Sequence, residues 1–165
     1  GGRVVDGAGG IAVEWGHMPL PVASADELPG PPCWCGRRGC VETWLSGPGM
    51  AADHERMTGR ALDAAEIARG ALEGDVACVA TLDRYVDRLG RALAVVVDIV
   101  DPEIVVLGGG VSNVPGLPRR VTEAVRPHVF SDAPVVRVVR NRHGDSSGVR
   151  GAAWLWAPGE RPSDL

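Results

Sequence analysis

Cys33, Cys35 and Cys40 fall within eight residues, in a stretch punctuated by Gly36 and Gly39. Thiolates at that spacing can curl around one ion, with Zn–S distances near ~2.3 Å. A tetrahedral site wants a fourth ligand, and His17, in Trp15-Gly16-His17-Met18, is the nearest imidazole. The proline-rich stretch between His17 and Cys33, with Gly30 in it, lets the chain turn back on itself. A closed Cys3His tetrahedron is a structural zinc site with no vacant position to activate water. The other reading of the same thiols is a disulfide with one thiol left over, which the closeness of Cys33 and Cys35 in sequence disfavours. Cys78 stands apart in a helical pattern and reads as a small core residue.

Two carboxylates lie close to these ligands in sequence: Glu14 precedes His17 by three residues and Glu42 follows Cys40 by two. Each taken alone reads as a solvated surface residue. If a metal pins both loops together, however, Glu14, His17 and Glu42 converge. Ionised carboxylates that each accept two hydroxyl hydrogen bonds are what a polyhydroxylated ligand needs. A second candidate is the run Ile104 to Leu107 leading into Gly108-Gly109-Gly110. Such a turn admits close backbone approach by a phosphate or nucleotide, and equally serves as a plain tight turn. Minor candidates carry structural expectations. Ser146 is an N-cap before an Ala-rich helix, His54 and His128 are surface residues, Trp34 shields the metal, and Trp44, Trp154 and Trp156 pack.

The elements that position these residues follow from composition and periodicity. The chain has 165 residues, 45% hydrophobic and 23% charged, enough for a real core and one globular domain. Disordered, collagen-like and coiled-coil classes are excluded. No run approaches the ~20 apolar residues of a membrane span, so a soluble protein is expected. With 17 basic and 21 acidic side chains, it lacks the electrostatic footprint of a nucleic-acid binder. All basic side chains besides histidine are arginine, which rules out Schiff-base or P-loop lysine chemistry.

Residues 1–46 read as strands and loops, with a β-like run at 3–5. Helices are expected over 48–57, 63–72 and about 75–100. In the last, Val79, Leu82, Val86, Leu89, Leu93 and Val97 mark one apolar face, and Asp83, Arg84, Asp87, Arg88 and Arg91 lie off it. Then follow a strand at 103–107, a helix at 118–129, a strand at 134–139 and a helix at 147–156. That alternation predicts an α/β layer with a largely buried sheet. The tail at 158–165 is expected to be loose.

Taken in order, Glu14-Trp-Gly-His17-Met, Cys33-x-Cys35-Gly-x-x-Gly-Cys40-x-Glu42, Leu45-Ser-Gly47, Asp101-Pro102 with Leu107-Gly-Gly-Gly110-x-Ser-Asn113, and the run from His143 to Ala153 resemble the ROK family of repressors, open reading frames and sugar kinases. Within it the chain is most similar to bacterial fructokinases and N-acetylglucosamine kinases, in register from about residue 2 to 156. The resemblance implies an actin-like, hexokinase-like ATPase (ribonuclease H-like) fold, with sugar and ATP in a cleft between two α/β domains. This chain corresponds to the C-terminal one, with residues 1–46 as the sugar- and zinc-binding loop region and 47–157 as the helices and the α/β layer. By the same resemblance Glu14 and Glu42 hold sugar hydroxyls. His17 ligates zinc and faces the sugar, Cys33, Cys35 and Cys40 complete the zinc site, and Gly108, Gly109 and Gly110 lie on the nucleotide side. The intact parent is then expected to be a homodimer that transfers the γ-phosphate of Mg2+-bound ATP to a hexose, fructose first and N-acetylglucosamine or glucose second. A sugar-sensing ROK repressor is the rival reading.

Two departures matter. The family's Asp-x-Gly-Gly-Thr phosphate hairpin and its Asn-Asp-x-Asn segment, whose Asp is the general base, do not occur in these 165 residues. The chain alone is therefore expected to have almost no turnover, since loss of a base typically costs ~10²–10⁴-fold. Val13 stands where the family usually has Gly, and a β-branched residue tolerates a positive φ poorly.

Overall fold

The computed structural model describes residues 4–5 and 7–154. Its order is a 3-10 turn at Trp15–His17, a second at Ala25–Glu27, α1 (Val41–Leu45), α2 (Gly47–Thr58), α3 (Ala64–Leu72), α4 (Val76–Val100), β1 (Val105–Leu107), a 3-10 turn at Gly110–Asn113, α5 (Leu117–Val125), further 3-10 turns at Arg126–His128 and Gly144–Ser146 around β2 (Val138–Arg140), and α6 (Ser147–Ala153). β1 and β2 pair in parallel, Val105 opposite Val138 and Leu107 opposite Arg140. The connection between them runs through α5.

Local chemistry sets the helix ends. The Asp75 carboxylate accepts from the amides of Ala77 and Cys78 and starts α4, which stops at Asp101 in the left-handed region (φ 46°). Asp63 and Glu66 form a reciprocal capping box at the start of α3. Ser46 caps α2 through the Gly49 amide, and Gly59 closes it at φ 71°.

The core is built along α4. Leu82, Val86, Leu89, Leu93 and Val97 are buried with Ile67, Leu117, Val121, Val125 and Val138. Gly90 lets α4 and α5 meet at backbone distance, because a Cβ there would lie 2.6 Å from the Ala124 carbonyl oxygen. Among the described residues, no helix is long and apolar enough to cross a membrane.

Several expectations change. Val4 and Val5 are exposed and belong to no strand, while Arg3 lies outside the described residues. Residues 7–40 hold loops and two isolated bridges, Pro19 with Cys40 and Pro32 with Arg38, because prolines remove the amide donors a ladder requires. α1 was not expected; five residues are too few to show a period. α5 ends at Val125 and tightens into the turn holding Pro127. The second strand is shorter and starts later than expected, and the sheet is not largely buried, since Val106 is 59% exposed. α6 ends at Ala153, with Trp156 and the 158–165 tail outside the described residues.

Some side chains also differ from expectation. His54 is fully buried, its Nδ1 2.9 Å from Thr81 Oγ1. The Thr81 hydroxyl donates to the Ala77 carbonyl, so His54 Nδ1 carries the proton in that contact. The Ser146 hydroxyl donates back to the His143 carbonyl and caps nothing. Val79 is borderline exposed and Trp154 is exposed rather than packed. Arg88 and Arg91, placed on the polar side of α4 by the sequence, are buried.

Candidate functional site

The backbone of the cysteine loop brings His17 to the thiols. The Leu20 amide donates to the Gly39 carbonyl at 2.9 Å and the Val41 amide to the Met18 carbonyl at 2.8 Å, so the strand-like segment after His17 runs antiparallel to the one holding Cys40. Inside the loop, the Cys33 amide donates to the Arg37 carbonyl and the Gly36 amide to the Cys33 carbonyl, folding Cys35 back toward Cys40. Gly30 and Gly39 pass so closely that a Cβ on Gly30 would sit 2.4 Å from Gly39 Cα.

His17, Cys33, Cys35 and Cys40 each direct one donor atom into a common space, all within 4.8 Å of one another. Cys33 Sγ lies 3.5 Å from His17 Nδ1, and Cys35 Sγ lies 3.7 Å from Cys40 Sγ. The sulfur pair is far too long for a disulfide, and all four cysteines are free. Sulfurs on a tetrahedron around zinc would stand about 3.8 Å apart, so the donor set fits a tetrahedral cation. Burial pushes the Cys40 thiol up to about 12. The backbone amide of Arg37 holds the Cys35 thiol below its ordinary value.

Glu42 stands beside this cluster, and Glu14 approaches the neighbouring Gly16. Glu42, in the first turn of α1, places Oε1 3.9 Å from His17 Nδ1. Glu14, exposed, precedes the 15–17 turn. Gly16 lies between them: a Cβ there would meet Glu14 Oε1 at 3.6 Å and Glu42 Oε2 at 3.9 Å. Val13, immediately before Glu14, takes φ 64°, a conformation costly for a β-branched residue. Trp34 is 82% exposed. Its indole Nε1 donates to Glu42 Oε1 at 2.7 Å, and its ring meets His17 edge-on, centroids 4.8 Å apart.

A buried ionic scaffold, not found from sequence, holds the outer limb of the loop. Glu27 accepts from Arg88 Nε at 2.7 Å and from two nitrogens of Arg91, at 2.8 and 3.0 Å. Arg91 also reaches the carbonyls of Pro21 and Val22. Arg88 bridges on to Asp53 at 3.0 Å and lies over the Trp44 ring at 4.3 Å, so Trp44 packs, as expected. Desolvation alone would raise the Glu27 carboxyl, but its hydrogen bonds from Arg91, Arg88 and the Ser24 amide outweigh that and hold it at about 2. The available signal was three arginines at 84, 88 and 91, whose steps of four and three place them on one face of a helix.

On the other side, β1 delivers Gly108, Gly109 and Gly110 to an open turn: a Cβ on any of the three would meet nothing within 4 Å, and Gly109 takes φ 73°. Asn141 braces the turn, its Nδ2 donating to the Leu107 carbonyl at 3.1 Å and to Ser112 Oγ at 3.0 Å. A cavity of about 450 Å³ is walled by these glycines and by Trp15, from the same turn as His17. A larger one, about 820 Å³, opens between Gly110–Asn113 and the faces of α2 and α3, lined by Ala51, Ala64, Ala68, Leu72, Val111 and Val114 among others.

A family model described as the ROK family matches residues 1–158. The chain is 39% identical over 158 residues to the N-acetyl-D-glucosamine kinases of Escherichia coli O127:H6 and of Shigella boydii serotype 4, matching 93% of this chain and 52% of each relative. It therefore spans about half the length of the curated relatives it matches. Among solved structures it is similar to a ROK hexokinase from Thermus thermophilus (TM-score 0.76, 35% identity, 93% of this chain and 50% of that one). It is also similar to a ROK glucokinase from Streptomyces griseus in complex with glucose and AMPPNP (TM-score 0.77, 25% identity, 93% and 54%).

Proposed function

The chain belongs to the ROK family, and from that membership, with the actin-like ATPase fold of its structural neighbours, we propose that it is the sugar-, zinc- and nucleotide-binding portion of an ATP-dependent hexose kinase acting on N-acetylglucosamine, with glucose as the second substrate. Fructose, first in the sequence reading, gives way to its alternative because the relatives carry the names of N-acetylglucosamine kinase, hexokinase and glucokinase. The observation that supports the reading is the cavity of about 450 Å³ that has Trp15, two residues before His17, on one wall and the glycine turn on the other. A sugar beside His17 and a nucleotide phosphate at Gly108–Gly110 would meet there.

In this reading Glu14 and Glu42 accept hydrogen bonds from sugar hydroxyls on either side of Gly16. His17 and the three cysteines hold zinc, which supplies a closed structural crosslink. Gly108, Gly109 and Gly110 let a phosphate approach the backbone, and the apolar cavity between α2 and α3 takes the nucleoside. ATP, bound with Mg2+, supplies the phosphoryl group. Residues 1–46 form the sugar and metal region, residues 47–157 the nucleotide side, and the intact protein is a cytoplasmic homodimer.

The test is calorimetric titration of the zinc-loaded chain with N-acetylglucosamine, glucose and fructose, alongside an ADP-release assay on the same preparation. The expected result is tighter binding of N-acetylglucosamine than of fructose, with no measurable turnover because the general base is not among these residues. Binding of none of the three sugars would overturn the reading. Turnover by the purified chain would overturn the placement of the base.

A further inference from the structure

Glu42 has two oxygens in different surroundings. Oε1 is occupied on the loop side: Trp34 Nε1 donates to it at 2.7 Å, Cys33 Sγ lies at 3.6 Å and His17 Nδ1 at 3.9 Å. Oε2 stands on the Gly16 side, 3.9 Å from where a Cβ on that glycine would lie. A carboxylate on a helix terminus turns freely about its last torsions unless one oxygen is fixed. Here the fixing donor comes from the residue between two metal-ligand cysteines, whose backbone is set by the hydrogen bonds of the loop. The indole itself is 82% exposed and touches the ring of His17 edge-on. A large apolar surface left in water beside a carboxylate and an imidazole is the combination that takes a ligand with hydroxyls on its rim and a C–H face.

We propose that Trp34 is a sugar-recognition residue, whose N–H pins Oε1 of Glu42 so that Oε2 is the oxygen presented to a sugar hydroxyl, and whose exposed ring receives the apolar face of a hexopyranose. The inference rests on the sugar-binding reading and extends it to a side chain that is not a metal ligand and carries no charge. Trp34 acts through Glu42 as a positioning residue and through its ring as a contact.

Two substitutions separate the parts. Trp34→Phe keeps an aromatic ring and removes the N–H, and Trp34→Ala removes both. Calorimetric titration of N-acetylglucosamine into the zinc-loaded chain should show Trp34→Phe weakening binding about 10-fold, the scale of one hydrogen bond to a charged group. Trp34→Ala should add a further ~5-fold. The Phe and Glu42→Gln effects should be non-additive, since both act on one contact, which Phe removes and which Gln weakens because an amide oxygen accepts the indole N–H less strongly than a carboxylate, and zinc content should stay at wild-type level in all variants. The indole Nε1–H resonance of Trp34, identified by its loss in the Phe variant, should shift in Glu42→Gln. Wild-type affinity in Trp34→Phe, or strict additivity with Glu42→Gln, overturns this inference and leaves the sugar-site reading standing. A wild-type chain that binds no hexose overturns both.

Discussion

Arg91 grips Glu27 with two nitrogens across 64 positions of sequence, at 2.8 and 3.0 Å. The contact joins the middle of the longest helix to the limb of the cysteine loop that lies between His17 and Cys33. With Arg88 and Asp53 it forms a scaffold in which each buried charge has a partner, and that pairing makes the burial tolerable.

The scaffold makes stability acid-sensitive. Glu27 is held at about 2, below its ordinary 4.5. A depressed carboxyl contributes stability that is fully present above the unfolded value and is lost as pH falls through the folded one. The melting temperature should therefore drop between about pH 4.5 and 2, and Glu27→Gln should flatten that part of the profile. At neutral pH the same substitution leaves Arg88 and Arg91 without their shared carboxylate and should cost about 3–5 kcal/mol in chemical denaturation. An unchanged acid limb in the variant would refute the assignment.

Metal loading should give one zinc per chain by elemental analysis and release protons into weakly buffered solution, since the thiols bind as thiolates. Cys35→Ser should lose the ion and lower the melting temperature. Gly30→Ala should weaken retention against a chelator without touching a ligand, because its methyl would collide with Gly39 Cα at 2.4 Å. A metal-free protein with a Cys33–Cys40 disulfide would contradict the site.

Val13→Gly should stabilise the chain by up to about 1 kcal/mol. A β-branched residue at φ 64° carries a steric cost that exceeds the entropy glycine loses on folding. Urea denaturation measures it, and a lower midpoint with an unchanged slope would show the opposite.

Gly90→Ala should destabilise by about 1–3 kcal/mol despite the higher helix propensity of alanine. Its methyl would lie 2.6 Å from the Ala124 carbonyl, and α4 and α5 must part to admit it. A gain in stability would mean that the two helices slide past one another freely.

The sequence disclosed what is local. The convergence of His17 with the cysteines is legible because three of the four donors lie in one short loop, and α4 is legible because Leu82, Val86, Leu89, Leu93 and Val97 repeat on a single face. What stayed hidden depends on distant partners. Arg88 and Arg91 look like solvent-facing residues until Glu27 and Asp53 arrive from elsewhere, and His54 looks polar until Thr81 on α4 takes its Nδ1. The Trp34 contact could not be read from spacing either, because it crosses from the cysteine loop to the first turn of α1.

The separation between the metal loop and its anchors also gives the chain an order of assembly. During synthesis His17 and the three cysteines emerge before Arg88 and Arg91 exist, so a cation binding them would meet a loop whose outer limb is still unclamped. Only when α4 has formed do the two arginines close on Glu27. With α4 in place, Glu27 tethers the limb between His17 and Cys33 to the core whether or not an ion occupies the cysteine cluster.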